Sequence, residues 1–105
     1  GQGPGVSVTR ADIVRTLSER MGETQRSTEQ RVVAMLEILS EALLSEGRVE
    51  LRGFGAFEVR EIKAHSTVLP ATGEKHKVKK SYTVDFKPAK KLKTAIRERP
   101  QGAAR

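Results

Sequence analysis

The stretch from Lys63 to Lys80 constrains this chain most, because it is too polar to enter a core yet is flanked on both sides by residues that alternate apolar and charged. It carries lysines at 63, 75, 77, 79 and 80 and is interrupted by Leu69-Pro70-Ala71-Thr72-Gly73, whose proline and glycine suit a tight turn. Such a segment folds as a basic β-hairpin that projects from the body. A proline at its tip cannot donate to a ladder, but it presents a rigid apolar wedge of the kind that parts two stacked bases. The plainer alternative is that Pro70 only sets the turn.

Charge is divided along the chain in the same sense. Residues 1–62 hold 8 Lys and Arg against 10 Asp and Glu, and residues 63–105 hold 12 against 3, which accounts for the formal charge of +7. The basic half is therefore the half that meets a polyanion. The chain has no cysteine, so a disulfide framework and a thiolate metal site are excluded. His65 and His76 would be diagonal neighbours on the hairpin, but two histidines without a carboxylate or thiolate beside them make an incomplete ligand set, so no metal and no cofactor is expected. Nor is an enzyme expected: no phosphate loop ends in Lys-Ser/Thr, and the serines have no evident His and Asp partners. Gly53-Phe54-Gly55 lacks the spacing of a nucleotide loop. No apolar run approaches the ~18 residues of a spanning helix and the start lacks a signal-peptide plan, so a soluble, cytoplasmic protein is expected, with no membrane partner.

Residues 1–8 have no pattern and are set outside the fold, as is a loose tail at 100–105; the domain is expected over 9–99, with the arm at 63–80. From Thr9 the period is helical. Thr9 caps, Asp12 sits in the first turn, and Ile13, Val14, Leu17 and Met21 share a face before Gly22. A second helix starts near Thr24 or at Ser27, where Ser27-Thr28-Glu29-Gln30 fits a capping box, and stops at Gly47. Its apolar set, including Leu36, Leu39 and Leu43, is broader than one packing stripe needs. The period then becomes two through Val49 and Leu51, a turn at Gly53-Phe54-Gly55, and Phe57, Val59 and Ile62; Tyr82, Val84 and Phe86 form a third body strand. Pro88 is expected in the first turn of a last helix whose Leu92, Ala95 and Ile96 face inward, with Pro100 closing it.

The only aromatics are Phe54, Phe57, Tyr82 and Phe86, which leaves little bulk for a single-chain core. The broad second helix is then either a well-buried core helix or one that also meets its twin. The second reading is preferred, with Leu36, Leu39, Leu43, Phe54, Phe57 and Phe86 as the shared core. If the hairpin turns over 70–73, Leu69 pairs with Glu74. Lys75, Lys77 and Lys79 then share one arm face with Val68, Ser66 and Ala64, and Lys63, His65, His76 and Lys80 share the other.

From about Val8 to Ile96 the chain resembles the HU and integration host factor family of bacterial DNA-bending proteins. The residues that carry the resemblance are Gly53-Phe54-Gly55-Ala56-Phe57, Pro70-Ala71-Thr72-Gly73, and Phe86-Lys87-Pro88-Ala89-Lys90-Lys91-Leu92-Lys93. The resemblance implies an α+β intertwined dimer with a helical base, a three-stranded antiparallel sheet and a protruding β-arm per subunit. It implies a wedge at Pro70 that kinks duplex DNA, phosphate contacts from Lys87, Lys90 and Lys93, and a place in the bacterial nucleoid. The arm cations Lys63, Lys75, Lys77, Lys79 and Lys80, with His65 and with Arg60 at the root, are the further backbone-contact candidates.

The arm also departs from that family, which carries arginines along the first arm strand and Arg-Asn before the tip proline. Here those positions hold Ile62, His65, Val68 and Leu69. Three consequences stay open: a larger wedge of Leu69 with Pro70, a weaker minor-groove grip, or a protein contact through Val68-Leu69. The expected function is architectural, binding duplex DNA through the minor groove with little sequence specificity and bending or compacting it. The alternatives are a sequence-selective bender of the integration host factor kind and a protein-interaction module built on the apolar tip. A homodimer is the default; pairing with a paralogue is the other arrangement.

Overall fold

The computed structural model describes residues 7–100. The expected N-terminal segment and C-terminal tail fall largely outside these residues. Two helices, α1 (Arg10–Met21) and α2 (Gln25–Glu46), precede β1 (Arg48–Leu51) and β2 (Gly55–Ile62), the arm strands β3 (His65–Val68) and β4 (Lys75–Val78), then β5 (Ser81–Pro88) and α3 (Lys90–Arg97). This is the α+β order that the change of period predicts. The body sheet runs β1-β2-β5, and β3-β4 is a separate two-stranded sheet.

Local chemistry sets the helix ends. Thr9 accepts from the Asp12 backbone while the Asp12 carboxylate accepts from the Thr9 backbone, a reciprocal cap that holds the Asp12 carboxyl below its ordinary range, chiefly through the backbone hydrogen bond. The capping box expected at Ser27 does not form. Thr24, one turn earlier, already accepts from the Ser27 N–H at 3.1 Å, so Ser27 lies inside the helix. Thr28 is 2% exposed and donates instead to the Thr24 carbonyl at 2.8 Å.

The body sheet sorts its residues by face. Val49, Phe57 and Phe86 lie in one row, with Val59 opposite Val84 on the same face. Arg48, Glu58 and Asp85 lie in the next row on the opposite face. Phe86 stacks against both phenylalanines of the turn region, with ring centroids 4.8 Å from Phe57 and 5.2 Å from Phe54. Gly55 is required beside that cluster: a Cβ there would sit 2.5 Å from the Lys87 carbonyl oxygen and 2.6 Å from the Phe86 ring.

Pro88 is not in the first turn of α3. It ends β5 opposite Gly55, because the Ala89 N–H pairs with the Phe54 carbonyl at 2.8 Å and extends the strand by one residue. Ala89 is then the cap, and Lys90 the first helical residue. Of the α3 residues expected to face inward, Leu92 is half-buried, while Ala95 and Ile96 are exposed in the single chain.

The single chain buries few apolar side chains: Val14, Val32 and Ala56 are the buried hydrophobic residues among those described. Phe54, Phe86 and Leu36 remain 40–48% exposed, and Leu44 88%. Burial of aromatic and leucine side chains is the main favourable term in folding, so these open faces require a covering surface.

Candidate nucleic-acid interface

The arm is a hairpin closed over Pro70–Gly73. Gly73, at φ 74°, donates to the Leu69 carbonyl at 2.7 Å, and Leu69 donates to the Glu74 carbonyl at 2.9 Å. The Thr72 hydroxyl accepts from the Glu74 N–H at 3.2 Å, so the turn is locked by its own side chain. Pairing runs His65 with Val78, Ser66 with Lys77, Thr67 with His76 and Val68 with Lys75, the register expected from the tip. Within these strands one face carries Lys75 and Lys77 with Ser66 and Val68; the other carries His65, Thr67, His76 and Val78. Leu69 is 39% and Val68 57% exposed, so the tip presents an apolar cap on a cationic stem.

Strict alternation does not extend to Lys63, Ala64, Lys79 and Lys80, which belong to neither ladder. The expected faces are borne out for the paired residues alone, Lys75 and Lys77 with Ser66 and Val68, and His65 with His76. The ammonium of Lys80 lies 5.9 Å from the Tyr82 ring centroid, and the His65 ring donates through Nδ1 to the Lys63 carbonyl at 2.9 Å. Among the described residues no ion pair engages Lys63, Lys75, Lys77, Lys79 or Lys80. The sheet below is different. Arg60 grips Asp85 through Nε at 2.6 Å, and Lys87 reaches Glu58 at 3.2 Å, with Arg48 on the same carboxylate. The Lys87 hydrogen bond leads in holding the Glu58 carboxyl below its ordinary range, and the Arg60 hydrogen bond does the same for Asp85.

Lys90 and Lys93 stand three apart on α3, with Lys91 between them. The first turn of α3 holds no acidic residue, and its cap makes no side-chain hydrogen bond. Cations at a helix start oppose the helix dipole, so this end is electrostatically suited to an anion rather than to its own side chains. Sequence reasoning missed the two carboxylates, Glu58 and Asp85, that occupy the sheet's cations. The only signal was their equal spacing from Arg60 and Lys87 on strands not yet known to be neighbours.

A helical base, a sheet with one charged face and an unneutralised cationic arm with an apolar tip define a small α+β protein built to embrace a polyanion. The chain belongs to the bacterial DNA-binding protein family, whose model matches residues 8–97. It is 38% identical over 92 residues to the DNA-binding protein HU of Thermus thermophilus, covering 88% of this chain and 95% of that one. It is 35% identical over 95 residues to integration host factor subunit alpha of Aliivibrio salmonicida, covering 90% and 97%. An Anabaena HU–DNA cocrystal structure matches with a TM-score of 0.75 at 30% identity, over 88% of this chain and 99% of that chain.

Proposed function

We propose that this protein is an architectural DNA-binding protein that acts as a dimer, laying its two arms along the minor groove and bending the duplex. The observation that carries this reading is the arm: an exposed cationic stem without carboxylate partners that ends in Leu69 and Pro70. Kinking unstacks base pairs at a cost of a few kcal/mol per step, and bending a site of 20–30 base pairs adds roughly 1–10 kcal/mol. Phosphate contacts from Lys63, Lys75, Lys77, Lys79 and Lys80, with Lys90 and Lys93 on the body, supply most of that offset. Lys87 and Arg60, which must first leave Glu58 and Asp85, add less, and His65 contributes at the arm root. Pro70 is the wedge, enlarged by Leu69.

The half-exposed Phe54 and Phe86, with Phe57, Leu36, Leu39 and Leu43, supply the shared core of the dimer. The protein acts by binding alone, without a catalytic step, and its place of action is the bacterial nucleoid. Base readout has no dedicated groups on the arm, so selectivity arises from duplex deformability.

Anisotropy of a labelled generic duplex, titrated with protein over a range of salt, tests this. Binding through Z phosphates gives a log–log slope near −0.9Z, expected here to be several units. Absence of salt-linked duplex binding would support instead a protein-interaction module working through Val68 and Leu69.

A further inference from the structure

The body ladder and the arm ladder keep one register but not one phase. Residue numbers of paired partners add to the same value from Gly55↔Pro88 to Ile62↔Ser81 and again from His65↔Val78 to Val68↔Lys75, so neither strand has gained a residue. Val59 donates to the Gly47 carbonyl, so the odd-numbered backbone groups of β2 turn toward β1 and the even-numbered ones toward β5; the Ala89 to Phe54 bond agrees. On the arm, Leu69 donates to Glu74, so there the odd-numbered groups turn inward. The phase therefore reverses between Ile62 and His65 and, on the return strand, between Val78 and Ser81. Two residues per strand take up the reversal, 63–64 and 79–80, and three of those four are lysines.

Carried across this gap, the common register sets Lys63 opposite Lys80. Like charges directly opposite each other destabilise a ladder. The gap shows the matching signs: the Lys63 carbonyl is taken by the His65 ring rather than by a strand partner, and the Lys80 ammonium is drawn over Tyr82. We propose that Lys63 and Lys80 form a charge-gated hinge, held open by mutual repulsion in the free protein and stiffened when a phosphate backbone neutralises the pair. They are positioning residues: they set the stiffness of the arm that carries Leu69 and Pro70. The inference rests on the DNA-binding reading for the anion that closes the hinge, but the open state is a property of the free protein.

Hydrogen exchange of the Thr67, Leu69 and His76 amides in the whole 105-residue chain without DNA tests the hinge. Lys63→Glu and Lys80→Glu, each creating an opposite-charge pair, are expected to slow exchange about two- to fivefold. The Lys63→Glu/Lys80→Glu double variant, again a like-charge pair, returns it toward the parent rate, which simple loss of a lysine would not do. Raising salt slows exchange in the parent and speeds it in each single variant. A saturating duplex slows exchange in the parent more than in the single variants. Equal exchange in all four proteins would overturn the hinge while leaving DNA binding intact. A parent arm that shows the salt response and the charge-variant pattern but binds no duplex would overturn the DNA-binding reading instead.

Discussion

The body sheet and the arm carry cations in opposite states. On the sheet, Arg48, Arg60 and Lys87 are engaged by Glu58 and Asp85, so a phosphate arriving there must displace a carboxylate. On the arm, Lys75, Lys77 and Lys79 have Glu74 as the only acid within the hairpin, and none of them is paired among the described residues. The difference teaches where affinity and where adjustment reside. Exposed, unneutralised lysines release counterions in full, whereas pre-paired cations exchange one partner for another and add little net.

The largest expected effect comes from removing the arm side of this contrast. Lys75→Gln/Lys77→Gln/Lys79→Gln lowers duplex affinity on the order of a hundredfold at moderate salt and flattens the salt slope by about 0.9 per lost contact, read by anisotropy. An unchanged slope would move the binding face to the body. Next is the shared core: Phe86→Ala removes the ring between Phe54 and Phe57 and costs about 3–5 kcal/mol per site, seen in chemical denaturation with a midpoint that depends on protein concentration. A concentration-independent midpoint would argue for a self-sufficient monomer.

Smaller effects sharpen the body side. Glu58→Gln and Asp85→Asn release Lys87, Arg48 and Arg60 for phosphate, so affinity is expected to rise a few-fold and the salt slope to steepen. A fall in affinity would mean that the carboxylates hold those cations in their binding geometry. The smallest effect concerns acid. Both carboxyls are held below their ordinary range by hydrogen-bonded cations, so their contribution to stability is present above the unfolded carboxylate pKa near 4 and is lost as pH falls through their lower folded values. The double variant Glu58→Gln/Asp85→Asn flattens the stability profile in that window, measured by denaturation between neutral pH and pH 3; an unchanged profile would remove the pairs from the account.

The element order was legible because the apolar period changes from 3.6 to 2 at Gly47 and back after Pro88. The arm register was legible because Pro70 to Gly73 leaves one natural place to turn. The phase reversal at 63–64 and 79–80 was not: period-2 reasoning needs alternating burial, and a segment exposed on both faces offers none. The pairing of Arg60 with Asp85 was hidden by their separation of 25 positions along the chain. Pro88 looked like a helix start because proline favours that position, but the strand pairing of Ala89 prevailed. For α2 the sequence left Thr24 and Ser27 both open; Ser27-Thr28-Glu29-Gln30 carries the fuller capping-box signal, but the Thr24 hydroxyl accepts from the Ser27 N–H and takes the cap.

The central claim is that the arm bends DNA through its tip, and end-to-end fluorescence transfer on a short duplex labelled at both ends measures this most directly, with anisotropy followed in parallel. Transfer is expected to rise with binding and to fade as salt is raised, while Pro70→Ala binds within about tenfold of the parent and bends less. Flat transfer alongside full binding by the parent, or undiminished bending by Pro70→Ala, would contradict the wedge and leave a protein that coats DNA without kinking it.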